Sequence, residues 1–239
     1  MNGKSTDTSS LVFFLAAYFF CLLTGCGGGG ESSPSSPTYA QFNDDPSTFT
    51  ILMSDATDDL QIAPGGGPSA VIPYPPADVK SISTKIEGGY VNFRVDYNGV
   101  IPTAPQTIAG QQVARQGVSI NLDTDNSEAT GAPNEGIGGV DMFFGMAFVY
   151  GSPTIAPYVN YNFVNGDIHQ NTGHIEGEFR SGGSGYTYFV MRFALARLGG
   201  LFPQGRTVRV GSWSEAESNV YHHFAFDPLT TVDWTIPAP

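Results

Sequence analysis

The most chemically pointed part of the chain is Asn121-Leu122-Asp123-Thr124-Asp125-Asn126-Ser127-Glu128-Ala129-Thr130-Gly131. Two carboxylates, Asp123 and Asp125, and the amide of Asn126 fall within four residues. Carboxylates that close repel unless a cation sits between them. Calcium takes roughly six to eight oxygens at ~2.3–2.6 Å, drawn from carboxylates, amides, backbone carbonyls and water. A flexible donor set made entirely by the protein suits calcium ahead of magnesium, so Asp123, Asp125 and Asn126 are candidate ligands. The segment is not an EF-hand. Counted from Asp123, Glu128 stands where the turn glycine belongs and Asn134 where the bidentate glutamate belongs. The competing use of these residues is a turn in which Asp and Asn bond their own backbone.

Other residues invite weaker chemistry. Trp213, Trp234, Tyr158 and Tyr161 offer ring faces on which a sugar could stack, although large rings also fill β-sandwich cores. Trp213 and Trp234 are the candidate ligand-binding pair. His222-His223 and His169 with His174 raise zinc, but neighbours on a strand point to opposite faces. Glu176 and Glu178 share a strand face at a spacing that glycosidase carboxylates also use. Gly211-Ser212-Trp213-Ser214-Glu215 lacks the last glycine of a nucleophile elbow. There is no phosphate-binding loop with lysine.

The elements that must carry these residues are strands. Val91, Phe93, Val95 and Tyr97 alternate with Asn92, Arg94 and Asp96. Val118, Ile120 and Leu122 repeat that period, as do Met142, Phe144 and Met146. Ile82–Ile86 and Tyr90–Tyr97 flank Glu87-Gly88-Gly89 as a hairpin, and Glu176–Phe179 pairs with the segment from Tyr186. Phe193–Leu198 is the one short helical stretch, stopped by Gly199 and Gly200. No segment has the long amphipathic helix that a parallel sheet needs between strands. The fold class expected is all-β: an antiparallel β-sandwich of about eight to ten strands. A closed barrel is the alternative.

The order of these features resembles a known group. A strand ending in an apolar residue, then Asp-Thr-Asp-Asn, then Ala-Thr-Gly, then Gly139-Val140-Asp141 opening the next strand looks like the DOMON-like and family 9 carbohydrate-binding-module sandwiches. Ala77–Ile82 and Gly89–Phe93 look like the preceding strand pair of that group. The similarity is clearest over residues 77–148. It implies a metal-proximal or loop-ordering role for Asp123, Asp125 and Asp141. It also implies glycan binding or, in some members, haem held by Met and His, for which Met142 and Met146 would be the methionines. Asp55, Asp58 and Asp59 form a second acidic cluster that could complete a metal site.

The N-terminus reads as an address. Lys4 precedes an unbroken apolar run, Leu11–Leu23, too short to span a bilayer and suited to a signal-peptide core. Leu23-Thr24-Gly25-Cys26 follows and resembles the bacterial lipobox. That resemblance implies cleavage before Cys26 and lipidation of its sulfur. Gly27 in place of aspartate implies the outer membrane ahead of the inner one. Residues 1–25 are thus read as signal peptide, 26–38 as lipidated cysteine and flexible Gly/Ser/Pro tether, and 39–239 as the sandwich. Cys21 leaves with the signal peptide, so no disulfide is available and the core alone must hold the fold.

The net charge is −12, and the leader removes one lysine and one aspartate, so the mature charge is the same. Such a surface repels nucleic-acid phosphates and suits divalent cations or neutral ligands. Charged residues are only 13% and aromatics another 13%, which gives enough apolar area for a packed domain. The function expected is a non-catalytic module of the cell envelope. It is tethered to a membrane by lipid, holds calcium in an acidic loop, and binds a glycan or an envelope protein but no nucleic acid. The alternatives are a polysaccharide-active enzyme using strand carboxylates, and a haem-binding redox module.

Overall fold

The computed structural model describes residues 43–56, 61–62, 70–71, 74–108, 110–134, 137–150, 155–164, 167–170, 175–180, 185–198, 202–218 and 225–239. They fall within one compact unit, Phe42–Pro239. Cys26, the lipobox and the tether lie outside the described residues, as do Asp58, Asp59, His174, His222 and His223. Among the described residues, no helix is long and apolar enough to cross a membrane.

The chain folds as two antiparallel sheets packed face to face. The smaller sheet runs, in spatial order, β1 (Thr50–Ser54), β4 (Val79–Glu87), β5 (Tyr90–Pro102), β14 (Gly185–Ala194) and β13 (Ile175–Arg180). The larger runs β12 (Asp167–Gln170), β11 (Ile155–Val164), β10 (Met142–Val149), β7 (Gln111–Asp123), β15 (Thr207–Ser218), β16 (Ala225–Thr235), β2 (Gln61–Ile62) and β3 (Ala70–Val71). Strand β6 (Thr107–Ile108) pairs with the start of β7. A small hairpin, β8 (Ala132–Asn134) with β9 (Ile137–Val140), forms a two-stranded sheet of its own. Ten of these strands have five or more residues, which agrees with the sequence expectation; the other six have two to four and carry too few residues to show a period. The short helix is α1 (Leu195–Leu198), and the residues just before it, Phe193 and Ala194, finish β14.

Local chemistry explains these elements. Gly88 and Gly89 have φ of 60° and 82°, and Glu87 pairs with Tyr90, so the β4–β5 hairpin turns on two left-handed residues. Only glycine adopts that pair without steric cost, and the resulting twist matches that of the strands. The core forms where the alternating faces meet. Phe144 of β10 packs 5.1 Å from Phe93 of β5 and 4.5 Å from Phe193 of β14, ring centre to ring centre. Val91, Val95, Ile120, Leu122, Val208 and Val210 complete the layer. Met142 and Met146 are both buried inside this core, as their place on an apolar strand face implies.

The outer face of the smaller sheet is crossed by the segment that precedes β1. Arg94 donates from Nη1 to the Asp44 carbonyl at 2.8 Å, and the Tyr188 hydroxyl donates to Asp44 Oδ2 at 2.9 Å. Lys85 Nζ donates to the Asn43 carbonyl at 2.6 Å and lies 4.6 Å from the Phe49 ring centre. These contacts explain why Arg94 is buried although it points away from the core.

A second apolar cluster, Tyr74, Ala77, Val113 and Ala216, closes the start of β7, with Ile108 and Tyr150 against it. Burial pushes the Tyr74 phenol up to about 12, and burial, then Tyr74 beside it, pushes Tyr150 up as well. Unfolded tyrosines ionise near 10. The folded chain keeps its phenol protons longer, so the stability present below pH ~10 is lost as pH rises through ~12. Phenolate absorbance followed against pH should show late-ionising tyrosines that appear together with loss of the folded circular-dichroism signal. Titration of every tyrosine near 10 with the fold intact would contradict this packing.

Candidate functional site

Strand β7 delivers the acidic loop. Val118, Ile120 and Leu122 face the core, so Ser119, Asn121 and Asp123 face outward. Asp123 ends the strand and is 0% exposed. Its cross-strand partner in β15 is Arg209. Arg209 Nη2 contacts Asp123 Oδ2 at 2.6 Å and the Gly138 carbonyl at 2.9 Å, while Nη1 contacts Glu128 Oε1 at 2.8 Å. One guanidinium thus ties the strand end, the loop and the β8–β9 hairpin together. The Glu128 bond first, and then Asp123, raise the already high pKa of Arg209.

Beyond Asp123 the chain turns sharply. Asn126 has φ of 57°, a left-handed corner that asparagine tolerates. The Ser127 amide donates to Asp123 Oδ1 at 3.1 Å and to Asp125 Oδ1 at 3.0 Å. Thr130 Oγ1 donates to Asp125 Oδ2 at 2.9 Å. Asp141 lies between β9 and β10, its amide donating to the Leu122 carbonyl at 2.9 Å. Its Oδ2 accepts from the Thr124 amide at 2.8 Å and hydroxyl at 2.7 Å. Gly139 is held against this turn at φ of 75°, where a Cβ would stand 2.2 Å from the Ser127 carbonyl oxygen, so only glycine fits.

These contacts gather Asp123, Asp125 and Asp141, each offering an oxygen within 4.8 Å of the others. An ion with ~2.4 Å bonds to oxygen could touch all three, so the group can hold a metal ion. The charges support this. Asp123, Asp125, Glu128 and Asp141 carry four negative charges, and Arg209 supplies one positive charge within contact. At such separations a like-charge pair costs roughly 1–3 kcal/mol, depending on the water between them.

The other sequence candidates divide. Asn126 forms the corner and turns its amide nitrogen toward the Thr207 carbonyl, 3.5 Å away. Asp55 stands outside the carboxylate group. Trp234 is a correction. It is buried in the core, 5.9 Å from Phe93 and 6.1 Å from Phe202 ring to ring, and cannot stack on a ligand. Its alternation with Val232 and Ile236, against Asp233 and Thr235, was the available sign of that burial. Trp213 sits half-buried on the outer face of β15. Tyr158 and Tyr161 lie on β11 opposite Gly145 and Met142. Glu176 and Glu178 lie on β13 opposite Arg192 and Val190. His169 lies on β12 opposite Tyr161.

Two charged groups escaped the sequence reading. Arg209 is one. The other is Arg115, whose Nη2 contacts Glu215 Oε1 at 2.9 Å and Glu217 Oε1 at 2.5 Å on the outer face of the larger sheet. Both pairings join residues more than eighty positions apart, and only the strand order brings β7 beside β15. A scan of known protein families finds no match for this chain, and a search of curated proteins finds none either.

Proposed function

We propose that this chain is a non-catalytic binding module of the bacterial cell envelope, carried on lipid at Cys26 at the outer membrane. Its acidic loop takes up calcium through Asp123, Asp125 and Asp141, and the ordered domain binds a neutral glycan. The observation that carries the reading is the trio of carboxylates drawn within 4.8 Å at the rigid end of β7, with one of them fully buried. The net acidity of the chain fits a cation and an uncharged ligand better than a phosphate polymer. The lipid attachment is supported by the residues before Cys26 and by the apolar run that precedes them.

The calcium part has a direct thermal test. A ligand that binds only the folded state stabilises it by about 2.7 kcal/mol at a hundredfold excess over Kd. For a domain of this size that raises Tm by roughly 5–10 °C. Millimolar calcium added to chelator-stripped protein should give this shift, and Asp125→Ala should lose it. An unchanged Tm in calcium would count against the metal reading.

A further inference from the structure

The segment before β1 is fastened to the smaller sheet more firmly than a chain end requires. Residues 43–49 touch three adjacent strands from outside. On β4, Lys85 Nζ donates to the Asn43 carbonyl and, at 3.1 Å, to Thr48 Oγ1. On β5, Arg94 Nη1 donates to the Asp44 carbonyl. On β14, the Tyr188 hydroxyl donates to Asp44 Oδ2. Phe49 is buried beneath the Lys85 ammonium.

The groups that hold the segment are themselves held. Arg94 is bidentate on Asp96, Nε to Oδ2 at 2.8 Å and Nη2 to Oδ1 at 2.6 Å. Its guanidinium lies 3.6 Å from the Tyr188 ring centre. Lys85 pairs with Glu87 at 2.9 Å. The side chains of Lys85 and Arg94 are only 8% and 7% exposed, so water competes little for their bonds. Hydrogen bonds from charged donors are roughly twice as strong as neutral ones. The segment is also bonded to itself. The Asp45 amide donates to Asn43 Oδ1, the Ser47 amide to Asp45 Oδ1, and Thr48 Oγ1 to the Asp45 carbonyl, which winds Pro46–Thr48 into one turn of 3-10 helix. Asn43 and residues 45–48 are exposed, so apart from Phe49 the segment adds little to the core.

Its place in the chain gives this fastening a use. Within the smaller sheet, β1 is an edge strand paired with β4 alone. A pull on its first residue would open that ladder one bond at a time. A pull on Asn43 instead meets bonds to three strands that are loaded together. Any tension on Cys26 passes through residue 43 before it reaches β1. We propose that residues 43–49 are a force clamp: they pass tension on the N-terminal tether to β4, β5 and β14 and keep it from unzipping β1. The use of the clamp rests on the reading of Cys26 as the lipidated anchor; its mechanical behaviour does not.

The test pulls the unlipidated mature chain, residues 26–239, in optical tweezers. One handle is the thiol of Cys26, the single cysteine of that stretch; the other is placed by Arg206→Cys in the exposed turn before β15. With the clamp intact, one unfolding step is expected. Lys85→Met/Tyr188→Phe removes two of the donors but keeps the stem against Phe49 and the ring under Arg94. In that variant Asn43–Phe49 should come away first, as a separate step of roughly 25 Å at lower force. Moving the handle past the clamp, with Cys26→Ser and Thr50→Cys, should open β1 at lower force although every clamp residue is present. Equal unfolding forces from residues 26 and 50 would overturn the proposal. So would a double variant that unfolds in the wild-type manner, or an intact clamp that comes away first at low force. A double variant whose tryptophan emission shows it unfolded at rest would make these contacts part of the core and overturn it too. Lipid on Cys26 is read separately, from the mass of the protein purified from bacterial membranes. Absence of acyl chains would remove the anchor and leave the measured clamp standing.

Discussion

Replacing Phe144 by alanine is expected to cost about 4 kcal/mol, the range for truncating a fully buried phenylalanine. Phe144 is 0% exposed, and rings from three other elements converge on it: Phe93 from β5, Phe193 from β14, and Phe202 from the segment before β15. It is therefore the point where the two sheets are joined. Alanine removes the transfer energy of the ring and leaves a cavity that strands on both sides cannot close without moving. With no cysteine in the described domain there is no disulfide to limit the loss. Tm should fall by roughly 10 °C at this domain size. Phe144→Leu, which keeps most of the volume, should cost only ~1 kcal/mol. Urea unfolding should show the midpoint shift with an unchanged slope. A loss below ~1 kcal/mol for alanine would mean that the sheets are not packed through this ring.

Asp123→Ala is the second large effect, and it has two parts. Breaking a buried ion pair costs about 3–5 kcal/mol when the surviving partner is stranded. Arg209 keeps Glu128 and the Gly138 carbonyl, so the lower end, about 3 kcal/mol, is expected without any metal. The Ser127 amide also loses one acceptor and must rely on Asp125 alone. The second part is the calcium response, which should disappear. Asp125→Ala separates the two: this exposed carboxylate should cost under ~1 kcal/mol without metal and still abolish the response. Arg209→Gln acts in the opposite sense. It removes the loop's own cation, so the calcium-free protein should melt lower and the calcium-induced rise should grow. If Asp125→Ala and wild type respond equally to calcium, the carboxylates serve only the turn.

Much of this arrangement was legible in the chain itself, for identifiable reasons. Period-two alternation at Val91, Phe93 and Val95 and at Val118, Ile120 and Leu122 fixed the core faces, because burial on one side leaves a strand no choice of register. Gly88-Gly89 announced a two-residue hairpin. Asp123 and Asp125 were visible because only Thr124 separates them in sequence, and Asp141 through the resemblance of its motif. Pairings set by strand order were not visible. Nothing near Arg209 in sequence indicates that β15 lies beside β7, so the guanidinium that neutralises Asp123 could not be inferred. Trp213 and Trp234 looked alike as aromatic side chains, yet one faces outward and the other fills the core. Strand β16 carries an extra residue between Leu229 and Val232, which shifts the alternation before Trp234 is reached.

A cation held between Asp123, Asp125 and Asp141 should be visible by anomalous diffraction from crystals soaked in a lanthanide substituting for calcium. One strong anomalous peak is expected about 2.4 Å from an oxygen of each of the three carboxylates, with Arg209 still paired to Asp123. Density for water alone at that position, or a peak bound elsewhere on the acidic surface, would contradict it.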